Sequence, residues 1–132
     1  MEAIEWKEEY NINVNFVDEH HRKFLEILND LGRLTDDKCN ENITKIFYSL
    51  VHYAENFLIR EEIYFKEYPN FAQHQEAHNR FIEQISKLQA DYKEGKQGIC
   101  QEMYDFLLEW FRSHILKYDK EAVDYLKNKG IH

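Results

Sequence analysis

Apolar residues recur along the chain at steps of three and four, in four separate runs. In the first, Phe24, Leu25, Leu28, Leu31 and Leu34 mark one face of a helix predicted over about 17–36, which fades in the polar stretch Thr35-Asp36-Asp37-Lys38. The second run passes from Ile43, Ile46, Phe47 and Leu50 through Ala54, Phe57 and Leu58 to Glu61, Tyr64 and Phe65. It predicts a helix over about 41–67 that stops before Pro69, because the residue preceding a proline is pushed out of the helical region. The third, with Phe71, His74, His78, Phe81, Ile82, Ile85 and Leu88, predicts a helix over about 70–93, ending in Lys93-Glu94-Gly95-Lys96-Gln97-Gly98. The fourth carries Ile99, Met103, Phe106, Leu107, Trp110 and His114, with Tyr118 a turn further on, and predicts a helix over about 98–118. A short last segment, about 121–128, is closed by Gly130.

With four glycines, one proline and no alternating run, the pattern describes an all-α chain, and 132 residues suit a single domain spanning 1–132. Short connections between long helices favour antiparallel neighbours. The expected architecture is an antiparallel up-down-up-down four-helix bundle with an N-terminal arm and a short C-terminal helix. The chain entry, the connection between the second and third helices and the end of the fourth then lie together at one end.

Composition narrows the partners. A net charge of -8, from 25 acidic and 17 basic residues, argues against nucleic acid, whose affinity for proteins comes from clustered Lys and Arg. The acidic surplus is read as a solvated surface. The N-terminal stretch MEAIEWKEEY has no apolar core and no segment approaches the length of a membrane span, so a cytoplasmic location and no membrane partner are expected. Cys39 and Cys100, 61 positions apart, make neither a redox pair nor a close-spaced zinc pair, and two free thiols are expected in that compartment.

The apolar stripes are interrupted by groups that a core seldom holds. Glu61 lies on the second stripe, and a buried carboxylate needs a cation or a dense set of donors. His74 and His78, at i and i+4, put two imidazoles on one helix face a turn apart. His114 continues the fourth stripe, Asp119 follows five positions later, and His21 precedes Phe24, Leu25 and Leu28 on the first. A lone stripe histidine is more often a satisfied core residue than a ligand. In an antiparallel bundle, however, all six residues fall at the same end within a few turns, and a metal cluster accounts for them together. Imidazoles with carboxylates and no thiolate suit iron, manganese or zinc; iron is favoured inside a bundle, and zinc remains compatible.

From Trp6 to about Leu126 the chain resembles the hemerythrin family. Val17-Asp18-Glu19-His20-His21 is similar to the family's D-x-x-H opening, Tyr53 with Glu61-Glu62 to Y-x-x-x-H-F-x-x-E-E, His74-x-x-x-His78 to H-x-x-x-H, and Trp110-x-x-x-His114-x-x-x-x-Asp119 to W-x-x-x-H-x-x-x-x-D. The resemblance implies two non-haem irons: one held by His74, His78 and His114, the other by His21, with Glu61 and Asp119 bridging. It departs from the family four residues before Glu61, where Phe57 replaces the expected histidine. Aligning Asn56-Phe57 with the H-F pair instead needs one inserted residue, such as a π-bulge provides, and still supplies no histidine. His52 falls on the opposite face. The segment between Glu61 and His74 is also about two residues shorter than is usual in the family. His20, Asn56, Tyr53, Tyr64 and Glu62 are the residues nearest in sequence to the gap.

The function implied is binding of dioxygen or another small diatomic ligand, as carrier, store or sensor, with no catalytic residue and no enzyme activity. The alternatives are a di-iron or mono-iron site reacting with peroxide or nitric oxide, and an iron buffer without oxygen carriage. Occupancy of the second iron position decides among them.

Overall fold

In a computed structural model, which describes residues 4–34 and 36–130, the four apolar runs form four helical rods. The first is α1 (Asn15–Gly32). The second is α2 (Asp36–Tyr53), joined through a π-helical segment, Ala54–Leu58, to α3 (Ile59–Tyr64). The third is α4 (Phe71–Lys93). The fourth is α5 (Ile99–Trp110), which passes through a second π segment, Phe111–Asp119, into α6 (Lys120–Asn128). No strand occurs among the described residues. The rods make an all-α antiparallel bundle in which α1 packs on α2 and α5, and α4 packs on α2 and α5. An arm with a 3-10 turn at Glu8–Tyr10 leads into it.

The break expected at Thr35 lies outside the described residues. The second rod begins at Asp36 rather than near 41, and Cys39 is buried on its stripe, one turn before Ile43. The fourth rod does not end before the last segment: Asp119 (φ -63°, ψ -39°) and Lys120 (φ -63°, ψ -45°) keep helical dihedrals, so α6 prolongs α5 through the π segment. No glycine or proline lies between Gly98 and Gly130 to interrupt it. Gly98 opens α5 with φ 78°, a left-handed conformation that glycine adopts without steric cost.

Two apolar clusters fill the interior. The larger holds Phe24, Leu28, Leu50, Leu58, Phe81, Met103 and Leu107 among others, through the middle of the bundle. The smaller joins arm, α1, the 3-10 turn after α3, and α6 through Ile12, Val17, Phe65, Ala122, Val123 and Leu126. Along three of the rods a polar position separates the two: His20 and His21 lie between Val17 and Phe24, Glu61 between Leu58 and Phe65, and Asp119 between Ile115 and Ala122. The polar groups thus form a layer with apolar packing on both sides.

At the opposite end of the bundle, Cys39 on α2 and Cys100 on α5 are joined as a disulfide, with Cα atoms 6.3 Å apart. This corrects the expectation of two free thiols. Sequence distance says nothing about the approach of two antiparallel rods, and this one falls within the roughly 4.4–6.8 Å that a disulfide spans.

Candidate metal centre

The six sequence-predicted residues converge. His21, Glu61, His74, His78, His114 and Asp119 are all buried, none more than 6% exposed. Their donor atoms fall into two compact sets. His74, His78, His114 and Asp119 make one, and His21, Glu61 and Asp119 the other; within each, one donor atom per residue lies within 4.8 Å of all the rest. That is close to the span of a coordination shell, twice a metal–ligand distance of about 2.1 Å.

Asp119 belongs to both sets and divides its oxygens between them. Oδ1 lies 2.8 Å from His74 Nε2 and 3.2 Å from His114 Nε2, while Oδ2 accepts a hydrogen bond from His21 Nε2 at 2.9 Å. Glu61 stands with the His21 set, its Oε1 3.4 Å from His21 Nε2. His78 Nε2 and His114 Nε2 face each other at 3.2 Å, so only one of the two carries the shared proton.

Local helix geometry explains how Asp119 reaches His114. At about 100° per residue, a step of five in an α-helix leaves two side chains roughly 140° apart. The π segment Phe111–Asp119, with its wider turn, brings His114 and Asp119 onto one face. His74 and His78 need no such device, being one turn apart at the start of α4. At the other end of the layer, the carboxylate of Asp18 receives the backbone N–H groups of Ile12 at 2.9 Å and Asn13 at 3.1 Å. This clasp fixes the entry of the arm, with Asn13 at φ 60°, less than a turn before His20 and His21. The acidic residue of the D-x-x-H pattern therefore acts on the backbone, a role the pattern itself does not disclose.

The other π segment, Ala54–Leu58, sets which residue of the Asn56-Phe57 pair faces the layer. Asn56 points outward, exposed, its amide donating to His52 O at 2.9 Å. Phe57 turns inward instead and stacks on His20, with centroids 4.2 Å apart and planes 6° from parallel. His52 is on the surface, as its phase requires. Of the residues nearest the gap, Tyr53 is buried with its hydroxyl unpartnered, and Glu62 Oε1 stands 3.8 Å from His78 Nδ1, on the outer side of that ring.

Charge is arranged to suit a cation. Burial opposes protonation of His21, but hydrogen bonds and charges from Asp119 and Glu61 outweigh it and raise that imidazole to about 10. Burial also opposes ionisation of Asp119, yet the charge of His114 and the contacts with His114, His21 and His74 hold it well below the usual carboxylate range. Burial and the charge of Asp119 oppose ionisation of Glu61, but His20 and His21 beside it outweigh them and lower it. His78 is pushed down to about 4, first by burial and then by the charge of His114, which leaves its ring neutral with a free lone pair.

A metal ion fits these residues. Glu61 Oε1 and Oε2, His74 Nε2 and Asp119 Oδ1 are buried without a hydrogen-bond partner. Each such group costs about 1–3 kcal/mol, and a cation between the two sets would satisfy several together. The donors are nitrogen and oxygen only, which suits iron, manganese or zinc. Trp110 lies flat against His114 at 3.9 Å, and Phe65 packs against His74 at 4.6 Å, walling the imidazoles with aromatic surface.

Comparison with known proteins agrees. The profile of the hemerythrin HHE cation binding domain matches residues 13–126. The chain is 31% identical over 128 residues to bacteriohemerythrin of Clostridium acetobutylicum, covering 90% of this chain and 98% of that one. It is 26% identical to bacteriohemerythrin of Stenotrophomonas maltophilia, over 96% of this chain and 84% of that one. It is 27% identical to the Methylococcus capsulatus protein of the same name, over 85% and 87%.

Proposed function

The chain belongs to the hemerythrin family, and from that premise we propose that it binds two non-haem irons in the buried layer and, through them, dioxygen or another small diatomic molecule. The observation that carries the reading is the divided carboxylate of Asp119, one oxygen toward His74 and His114 and the other toward His21. A carboxylate so placed is suited to bridge two cations.

Iron held there would supply the redox-active centre to which a diatomic ligand attaches. The chain's own residues supply the rest. His74, His78 and His114 would offer imidazole nitrogens to one position, and Glu61 and Asp119 would contribute negative charge that offsets much of the cations' charge in a low-dielectric interior. Trp110, Phe65 and Phe81 keep bulk water off the rings. A cleft of about 440 Å³, lined in part by Tyr68, Gln73, His74, Ala77, His114 and Tyr118, leads to the three-histidine side and is ample for a diatomic molecule. Among the described residues, no helix is long and apolar enough to cross a membrane.

The same cleft favours a second reading, a site reacting with peroxide or nitric oxide, since solvent comes close to His74 and His114. Anaerobic loading with ferrous iron separates the possibilities. Two irons per chain and an absorption band that appears with oxygen and disappears under argon are expected. One iron and no oxygen-dependent band would refute the di-iron carrier, and sustained consumption of peroxide or nitric oxide would establish the second reading.

A further inference from the structure

The His21 set is short of nitrogen: one imidazole and two carboxylates, where the other set has three imidazoles and one carboxylate. Beside it stands an imidazole that belongs to neither set and makes no hydrogen bond. His20 is 3% exposed, and neither of its ring nitrogens has a hydrogen-bond partner. Its Nδ1 is 3.8 Å from Glu61 Oε1, the same oxygen that lies 3.4 Å from His21 Nε2. The ring is held in that attitude by Phe57, stacked on one face at 4.2 Å, and by Phe16, edge-on at 5.4 Å.

A buried imidazole without partners costs about 1–3 kcal/mol for each group left unmet. An ordinary core histidine recovers that cost through a hydrogen bond to a carbonyl or hydroxyl, and His20 makes none. Residues 20 and 21 are adjacent, about 100° apart on α1, yet both rings flank one carboxylate oxygen of Glu61. The residue that fixes the ring is the one occupying the position of the absent α3-side histidine.

Resting on the metal-binding reading above, we infer that His20 is a metal ligand of this chain: it supplies through Nδ1 the imidazole that Phe57 removes, completing a second position made of His20, His21, Glu61 and Asp119. Phe57 changes from ligand to platform, its flat face directing the neighbouring ring at Glu61. Nδ1 approaches the set through Glu61 alone, so a small rotation of the ring on that face brings it into the shell. A neutral imidazole adds no charge, which leaves two carboxylates to balance the ion in that position.

Metal content per chain after anaerobic loading with ferrous iron and desalting tests this, with cobalt(II) as a second probe read by visible absorption. The wild type should retain two ions and His20→Ala one, with affinity for the second ion falling more than about a hundredfold. That exceeds the roughly 10–100-fold loss expected if His20 merely oriented another ligand. His20→Gln, closer in size, should behave in the same way, and circular dichroism of the metal-free variants establishes that each is folded. In His20→Ala/Phe57→His the second ion should return. Two ions bound equally well by wild type and both single variants would overturn the assignment and leave metal binding intact. One ion in wild type and variants alike would also overturn it, with the three-histidine set then the only one loaded. No ion in any of them would refute the metal-binding reading itself, and the role of His20 with it.

Discussion

Asp119 is the residue on which both halves of the layer depend, and Asp119→Asn removes its charge while keeping its shape. In the metal-free protein at neutral pH, His21 carries a proton, since its neighbours raise it to about 10. Its closest carboxylate contact is Asp119 Oδ2 at 2.9 Å, with Glu61 Oε1 at 3.4 Å as the second. Breaking a buried ion pair by removing one partner costs roughly 3–5 kcal/mol. Because Glu61 remains and the asparagine carbonyl can still accept from His21, the expected loss is at the lower end, about 3 kcal/mol. For a chain of this size that corresponds to a fall in Tm of roughly 10 °C. Urea unfolding of metal-free wild type and variant, followed by circular dichroism at pH 7, measures it. Asp124→Asn, on the exposed side of α6, serves as control and should stay within about 0.5 kcal/mol. A loss below about 1 kcal/mol for Asp119→Asn would refute the ion-pair reasoning.

Three other perturbations have defined outcomes. His21 rises from 6.5 unfolded to about 10 folded, so its contribution to the metal-free protein is complete below pH 6.5 and is lost as pH climbs through about 10. The urea midpoint should therefore decline across that window, His21→Gln should flatten the decline, and binding of an ion at the His21 side should release about one proton to an indicator dye. Cys39→Ser opens a link spanning 61 positions, which chain entropy values at about 4 kcal/mol; the urea midpoint should drop while metal content is unchanged, because the link is at the far end of the bundle. Trp110→Ala removes the ring stacked on His114 and leaves a cavity costing about 3–5 kcal/mol, visible as a lower Tm, and an unchanged Tm would show that the ring is not packed as described.

The convergence of the six polar residues was legible because it needs only helix periodicity and the alternation of rods. His74 and His78 are one turn apart in any α-helix, and Glu61 and His21 lie on stripes whose direction is set by short connections. That Asp119 shares a face with His114 was not legible from periodicity, since their spacing of five is out of phase until the π segment corrects it. The segment Ala54–Leu58 shows the limit from the other side. The sequence admits an extra residue there, but only packing decides that Asn56 turns to solvent and Phe57 turns in. His20 was one of several candidates because adjacency to His21 on a helix argues for a different direction, and its burial depends on Phe16 and Phe57 from two separate elements. The disulfide was missed for a related reason: a prior about compartment stood in for a distance that only the packing of α2 on α5 determines.

That disulfide and the polar layer sit at opposite ends of the same rods, one tying α2 to α5, the other gathering α1, α3, α4 and the segment leading into α6. The molecule is therefore closed twice, by two chemistries that answer to different conditions. Reduction opens the covalent tie without touching the polar layer, and removal of a bound cation would leave the tie intact, with the apolar clusters holding the rods in either case.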